Sequence, residues 1–151
     1  MSRAPVFLFV LLVGTLAGCG SRENSLRIDY PMGERVTVGP LTYNVVETVL
    51  GTEADPKLPP GKMDLILLVD VYHEFSQPQK MLRKIFEALK PDGRLVLLEY
   101  RKEDPTIPIR PEHKMSIQEV KTELEAEGFH LSQVIETLPR QHIIILTKAA
   151  Q

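Results

Sequence analysis

The sequence predicts an α/β fold, in which a mostly parallel sheet ends in an antiparallel hairpin and follows a short β-rich segment. Residues 65–69 (LILLV) form an apolar run without a polar face, which is typical of a parallel strand covered on both sides. Apolar residues then recur at helical spacing over residues 81–89, and a second apolar strand follows over residues 94–100. Together these segments predict a strand–helix–strand unit with a parallel crossover.

Length and composition limit the classes of function. With 151 residues the chain is long enough for one domain. Its formal net charge is −2 and its acidic and basic residues are interspersed, so the sequence indicates no surface for binding nucleic acid. The four histidines lack the close spacing of zinc ligands, so the sequence predicts no metal site: His73, His113, His130 and His142.

The first 19 residues predict an export and lipidation signal. Residues 6–16 are almost entirely apolar, and they are too few to span a membrane. Residues 16–19 (LAGC) resemble the lipobox of bacterial lipoproteins, in which the cysteine is lipidated and becomes the first mature residue. The resemblance implies that Cys19 anchors the chain to a membrane of the cell envelope. The alternative is an uncleaved apolar N-terminus after a misplaced start, which would leave the protein in the cytoplasm.

Residues 20–43 are predicted to form a tether and a short β segment. Hydrophobic and polar residues alternate over residues 26–30 and 35–38, and residues 41–50 are rich in valine, threonine and tyrosine. This segment resembles the opening strands of a small β-sandwich domain of bacterial lipoproteins.

Two helices with N-terminal caps are expected. Residues 76–79 (SQPQ) fit a capping box with an early proline, and residues 90–93 (KPDG) should turn the chain into the next strand. Ser116 and Glu119 form the capping box of the second helix, and Gly128 is expected at its C′ position. The buried stripe of that helix should be Ile117, Val120 and Leu124.

The order of the elements, together with two motifs, resembles a known family. Residues 130–138 and 141–148 predict a closing hairpin. With the motifs LVDVYHEF (68–75) and LKPDGRLVLLEY (89–100), this order resembles the C-terminal half of class I S-adenosylmethionine-dependent methyltransferases. The resemblance covers residues 44–148. It implies part of a Rossmann-like sheet, S-adenosylmethionine as the cofactor, and methyl transfer to an acceptor that the sequence does not identify.

The resemblance also implies where the cofactor would be contacted. Its adenine would lie against the loop that carries Glu53 and Asp55. Its methionine part would lie against Asp70 and Val71, which follow the apolar strand. Ligands of open α/β sheets bind beyond the carboxyl ends of the strands, which agrees with the second placement.

His73 and Glu74 are the candidate catalytic residues. In the family, this position lies near the methyl group that is transferred, and a histidine there could deprotonate the acceptor as a general base. The alternative is that both side chains only hydrogen-bond the backbone of their loop. Tyr100 ends the next strand, where it would either border the acceptor pocket or pack in the core.

The glycine-rich turn that this family places after its first strand is not found in the sequence. From Gly33 to Gly128 each glycine stands alone, and Gly18 and Gly20 flank Cys19 at the end of the leader. We therefore predict a truncated family member with doubtful activity. The alternative is a non-catalytic, lipid-anchored envelope protein that uses the methyltransferase-like segment as a scaffold or partner surface. In either case residues 65–69 would form an exposed sheet edge, through which copies of the chain could associate.

Overall fold

The computed structural model describes residues 35–38, 41–44 and 49–149. The predicted strand over residues 26–30 and the lipobox cysteine, Cys19, lie outside these ranges. In chain order the elements are β1 Arg35–Val38, β2 Leu41–Asn44, β3 Met63–Val69, α1 Pro78–Ala88, β4 Leu89–Tyr100, α2 Ile117–Glu125, β5 Phe129–Ile135 and β6 Gln141–Lys148. Short 3₁₀ turns occupy Tyr72–Glu74 and Pro111–His113. No helix among the described residues is long and apolar enough to cross a membrane.

The main sheet has four strands in the order β3-β4-β6-β5, which confirms the predicted fold class. β3 pairs with β4 in parallel, whereas β4 with β6 and β5 with β6 are antiparallel pairs. The closing hairpin is therefore β5 and β6, as its sequence pattern predicted. β1 and β2 form a separate antiparallel pair.

Helix α1 begins one residue later than the predicted capping box requires. Its N-cap is Gln77, which makes no side-chain capping bond, and Pro78 takes the first helical position. The predicted box is therefore wrong, because Ser76 lies before the cap and its hydroxyl donates to Oε2 of Glu53 at 3.4 Å. Proline at the first position is still favourable, since its fixed φ suits the first turn and it has no N–H to satisfy.

The segment KPDG, predicted as a turn after α1, is absorbed into β4 as an irregularity. Met63 pairs with Leu89, but Leu65 already pairs with Arg94, so β4 carries extra residues at this point. A side chain at Gly93 would place its Cβ 2.7 Å from the carbonyl oxygen of Met63. The close approach of the two strands therefore requires glycine there.

Helix α2 has the predicted capping box. The N–H of Glu119 donates to Oγ of Ser116 at 3.1 Å, and the N–H of Ser116 donates to Oε2 of Glu119 at 2.9 Å. The helix ends earlier than expected, because its C-cap is Ala126. Gly128 lies two residues further on, where its φ of 89° still favours glycine.

The two faces of the sheet differ in how well they are covered. One face packs with α1 and α2 in a single core, and its members are Ile66, Leu68, Leu95, Leu97, Ile144 and Leu146. On the other face Leu65 and Leu67 are only partly buried, and Val69 is 50% exposed. The expectation that residues 65–69 are covered on both sides is thus wrong for the described residues, since both helices pack on the same face.

Candidate functional site

The chain leaves the sheet at Asp70, directly after β3. Its backbone has a φ of 48°, a conformation that aspartate tolerates better than most residues. The N–H of Asp70 still donates to the carbonyl oxygen of Leu98 at 2.8 Å, and its Oδ2 accepts from Nε2 of Gln141 at 2.6 Å. The turn fixed in this way places His73 and Glu74 beyond the carboxyl end of β3.

His73 is held from the inside by Glu99, which lies near the end of β4. Nδ1 of His73 lies 2.6 Å from Oε2 of Glu99, and the N–H of Tyr72 donates to Oε1 of the same carboxyl group at 3.0 Å. Glu99 is fully buried, and its burial raises its pKa above the ordinary value although the bonds from His73 and Tyr72 oppose the change. A carboxylate in this position fixes the orientation of the imidazole and favours a proton on Nδ1.

The other ring nitrogen of His73 points towards two partners. Its Nε2 lies 3.3 Å from Oε1 of Glu74 and 3.3 Å from Nδ1 of His113. Oε1 of Glu74 and Nδ1 of His113 are 2.7 Å apart. The side chain of His73 is almost buried, whereas those of Glu74 and His113 are partly exposed. The group of three residues is therefore open to solvent on the side of Glu74 and His113.

His113 reaches His73 because the long loop between β4 and α2 is fastened back onto the sheet. The N–H of Met115 donates to the carbonyl oxygen of Tyr100 at 3.0 Å. Within the loop, Nζ of Lys114 donates to the carbonyl oxygens of Asp104 at 3.1 Å and Ile107 at 2.8 Å. These bonds hold the 3₁₀ turn that carries His113 next to the one that carries His73.

A cleft of about 410 Å³ lies beside this group, beyond the ends of β3 and β4. Its volume is within the range of small-molecule sites, and its place agrees with the general rule for open α/β sheets. Tyr100 borders the cleft, which is one of the two positions expected for it. The polar and aromatic residues of its lining are Asp70, His73, Glu74, Tyr100, Arg110 and His113.

The other predicted site residues lie elsewhere. Glu53 accepts the hydrogen bond from Ser76. Asp55 accepts one bond from the backbone N–H of Lys57 at 2.7 Å and another from Nζ of the same lysine at 2.9 Å. These bonds from Lys57 lower the pKa of Asp55. Neither carboxylate lines the cleft, and Val71 packs against the core. Their proposed contacts with a cofactor remain predictions.

Sequence reasoning missed Glu99 and His113. Glu99 did carry a signal, because it is the one charged residue in the otherwise apolar run 95–100, and a buried charge needs a partner. His113 carried no such signal, since it lies in a proline-rich loop 40 residues after His73.

Asp70 provides a test of whether this cleft suits S-adenosylmethionine. Its Oδ1 is buried and has no hydrogen-bond partner among the described residues. A carboxylate oxygen of this kind is a suitable acceptor for a cationic amino group, which the methionine part of the cofactor carries. Asp70 therefore fits the role that the resemblance implies. The described residues form only one wall of a cofactor site, because no described strand other than β4 lies next to β3.

Comparisons with known proteins agree with these features. A family model described as a methyltransferase domain matches residues 18–145. The structure is similar to a SAM-dependent methyltransferase from Aquifex aeolicus, with 28% identity, a TM-score of 0.61, and coverage of 67% of this chain and 54% of that one. It is also similar to a putative type 11 methyltransferase from Sulfolobus solfataricus, with 20% identity, a TM-score of 0.57, and coverage of 63% and 55%. No curated protein matches the chain.

A third similar structure is the methyltransferase CalH in complex with SAH, with 18% identity, a TM-score of 0.53, and coverage of 64% of this chain and 34% of that one. The present chain spans only about half the length of the Aquifex protein described above. The family match nevertheless extends over most of the sequence. The chain belongs to the S-adenosylmethionine-dependent methyltransferase family.

Proposed function

We propose that this chain carries the acceptor-facing half of an S-adenosylmethionine-dependent methyltransferase, in which His73 removes a proton from the methyl acceptor. The observation that carries the proposal is the pair of His73 and buried Glu99 beside the cleft. With Nδ1 bonded to Glu99, Nε2 keeps its lone pair on the side of the cleft, where a general base must lie.

The chemistry of the family explains why a base is useful at this point. When bound, S-adenosylmethionine supplies a methyl group attached to a positively charged sulfur. A hydroxyl acceptor attacks through an oxygen lone pair, and it must lose its proton before or during the transfer. Nε2 of His73 can take that proton, and Glu99 would stabilise the imidazolium that forms.

A proton on Nδ1 of His73 is the direct test of this role. In ¹⁵N-resolved NMR spectra of the imidazole groups, the neutral form of His73 should carry its proton on Nδ1, bonded to Glu99. His130, which is exposed, is the matched control and should not show this fixed tautomer. A proton on Nε2 of His73 would leave no lone pair towards the cleft and would contradict the proposal.

We also propose that this chain alone binds the cofactor weakly. The sequence contains no glycine-rich turn, and the described residues offer only one wall of a site. Isothermal titration of the purified full-length chain with S-adenosylmethionine should give no heat at millimolar concentration. Stoichiometric binding at micromolar concentration would show that the remaining residues complete the site, and it would overturn this part of the proposal.

A second candidate is a non-catalytic, lipid-anchored envelope protein, which is favoured by the lipobox pattern LAGC. An exported chain would meet little S-adenosylmethionine, so its methyltransferase-like part would serve as a scaffold or a partner surface. Copies could associate through the edge of β3 that no described strand covers. Cys19→Ala should release the chain from the membrane fraction, whereas Ser21→Ala should not. Unchanged fractionation of the Cys19 variant would count against this candidate.

A further inference from the structure

We propose that His73, Glu74 and His113 form a binding site for a divalent cation of the zinc type, with a fourth position open to the cleft. One donor atom from each residue lies within 4.8 Å of the other two: Nε2 of His73, Oε1 of Glu74 and Nδ1 of His113. Two imidazole nitrogens and one carboxylate oxygen are a donor set that zinc prefers. Binding of the cation does not depend on the methyl-transfer function proposed above.

The distances between the three donors suit tetrahedral coordination. Zinc–nitrogen bonds of about 2.0–2.1 Å at tetrahedral angles place neighbouring donors about 3.3 Å apart. The donors of His73 and Glu74, and those of His73 and His113, are each 3.3 Å apart. The third pair, Glu74 and His113, is at 2.7 Å and must open by roughly 0.6 Å for a cation to enter. Both of these side chains are partly exposed, so they have room to move.

When both imidazoles are neutral, their protons do not satisfy all three contacts. A proton on Nδ1 of His113 accounts for its short contact with Glu74. With the proton of His73 on Nδ1 and directed at Glu99, however, Nε2 of His73 and Oε1 of Glu74 face each other as two acceptors. A cation among the three donors would bind one lone pair of each, with the proton of His113 on its Nε2, and would remove this conflict.

Glu99 has the position of an outer partner of a metal-binding histidine. Such histidines usually donate their second ring N–H to a carboxylate, which fixes the ring and makes it a better ligand. Glu99 does this from a fully buried position. The carboxylates of Glu74 and Glu99 would also balance the two positive charges of the cation. Arg110, the one arginine among the described residues that line the cleft, has its own acidic neighbour in Glu112, 4.0 Å away.

Three protein ligands and an open fourth position are the arrangement of catalytic zinc sites. A cation there lowers the pKa of a coordinated water or hydroxyl group. It would also occupy the lone pair of Nε2 of His73, so a hydroxyl acceptor bound to the cation would lose its proton to solvent water rather than to His73. This consequence, unlike the binding itself, rests on the proposed function.

The test is titration of the metal-free protein with Co²⁺, followed through the visible absorption of the bound ion. The full chain is used as its Cys19→Ser variant, so that the thiol does not contribute. We expect one equivalent to bind with the strong absorption of a four- or five-coordinate site, and Zn²⁺ to displace it. His113→Ala and Glu74→Gln should each weaken the affinity at least about tenfold. His130→Ala, the matched control, should leave it unchanged.

Thermal unfolding without S-adenosylmethionine provides a second readout. Zn²⁺ should raise the Tm of the parent protein, because a ligand that binds only the folded state stabilises it. It should not raise the Tm of His113→Ala above the metal-free value of that variant. Absence of Co²⁺ absorption, or equal stabilisation of both proteins by Zn²⁺, would overturn the proposal. Neither result bears on the tautomer of His73 in the metal-free protein, by which the methyl-transfer role is judged.

Discussion

Two histidine–carboxylate clusters lie side by side in this protein, and they are built differently. Glu99 of β4 and His142 of β6 are direct cross-strand partners, and both are buried. Glu99 nevertheless binds His73, which comes from the turn after β3. His142 binds two other carboxylates, with Nδ1 2.8 Å from Glu136 and Nε2 2.9 Å from Glu103.

The difference lies in the second ring nitrogen. Both ring nitrogens of His142 contact carboxylates. This cluster therefore links β6 to the segments that follow β4 and β5. In the cluster of His73 a buried carboxylate takes one nitrogen, while the other faces a cleft and two partly exposed side chains. We infer that both clusters stabilise the fold, and that only the open one is also available for chemistry.

The largest expected effect on stability is that of Glu99→Ala. The buried N–H of Tyr72 and Nδ1 of His73 would lose their acceptor, which should lower the free energy of unfolding by about 3 kcal/mol. Urea unfolding followed by circular dichroism measures it. Glu99→Gln keeps an acceptor oxygen and should cost only about 1 kcal/mol. Equal losses for the two variants would mean that the acceptor oxygen is not what matters.

A smaller loss, about 2 kcal/mol in the same experiment, is expected for His142→Ala. The side chains that it leaves behind, Glu103 and Glu136, are each 49% exposed and can be hydrated, unlike Glu99. His130→Ala removes an exposed histidine and should change stability by less than about 0.5 kcal/mol. If His142→Ala were as mild as this control, the closed cluster would not be a stabilising link.

The smallest effect concerns the pH dependence of the closed cluster. Burial raises the pKa of Glu103, but bonds from His142 and from the N–H of Ile117 outweigh it, so the pKa lies below the ordinary value of 4.5. A lowered pKa in the folded state stabilises the protein above pH 4.5, and this contribution is lost as the pH falls below that value.

The measurement compares the parent protein with Glu103→Gln in urea at several pH values. The parent should be more stable by no more than about 0.5 kcal/mol near neutral pH, because solvent screens a half-exposed pair. This advantage should vanish on acidification. An advantage that grew below pH 4.5 would contradict the assigned direction.

Local sequence patterns predicted most of the fold from β3 onwards. The apolar run of β3, the periodic apolar residues of α1 and the capping box at Ser116 each depend on neighbours a few residues apart, so they could be identified without the structure. The same reasoning erred at residues 76–79, where Ser76 binds Glu53 in a distant loop, and at residues 90–93, where the bulge depends on the strand alongside.

The candidate site could be predicted only in part. His73, Glu74 and Asp70 follow a recognisable strand within a family motif, so the resemblance identified them, and the cleft lies beside all three. Glu99 and His113 are brought to His73 by strand pairing and by a loop that folds back, over separations of 26 and 40 residues. No pattern in the sequence encodes such separations directly.

The sequence by itself therefore determined the family, the order of its elements and the residues that end β3, because these depend on local periodicity and short motifs. Only the tertiary structure decided which histidine keeps a ring nitrogen open to the cleft and which is closed off. The physical reason is that both outcomes depend on where distant carboxylates lie, and packing rather than spacing along the chain sets those positions.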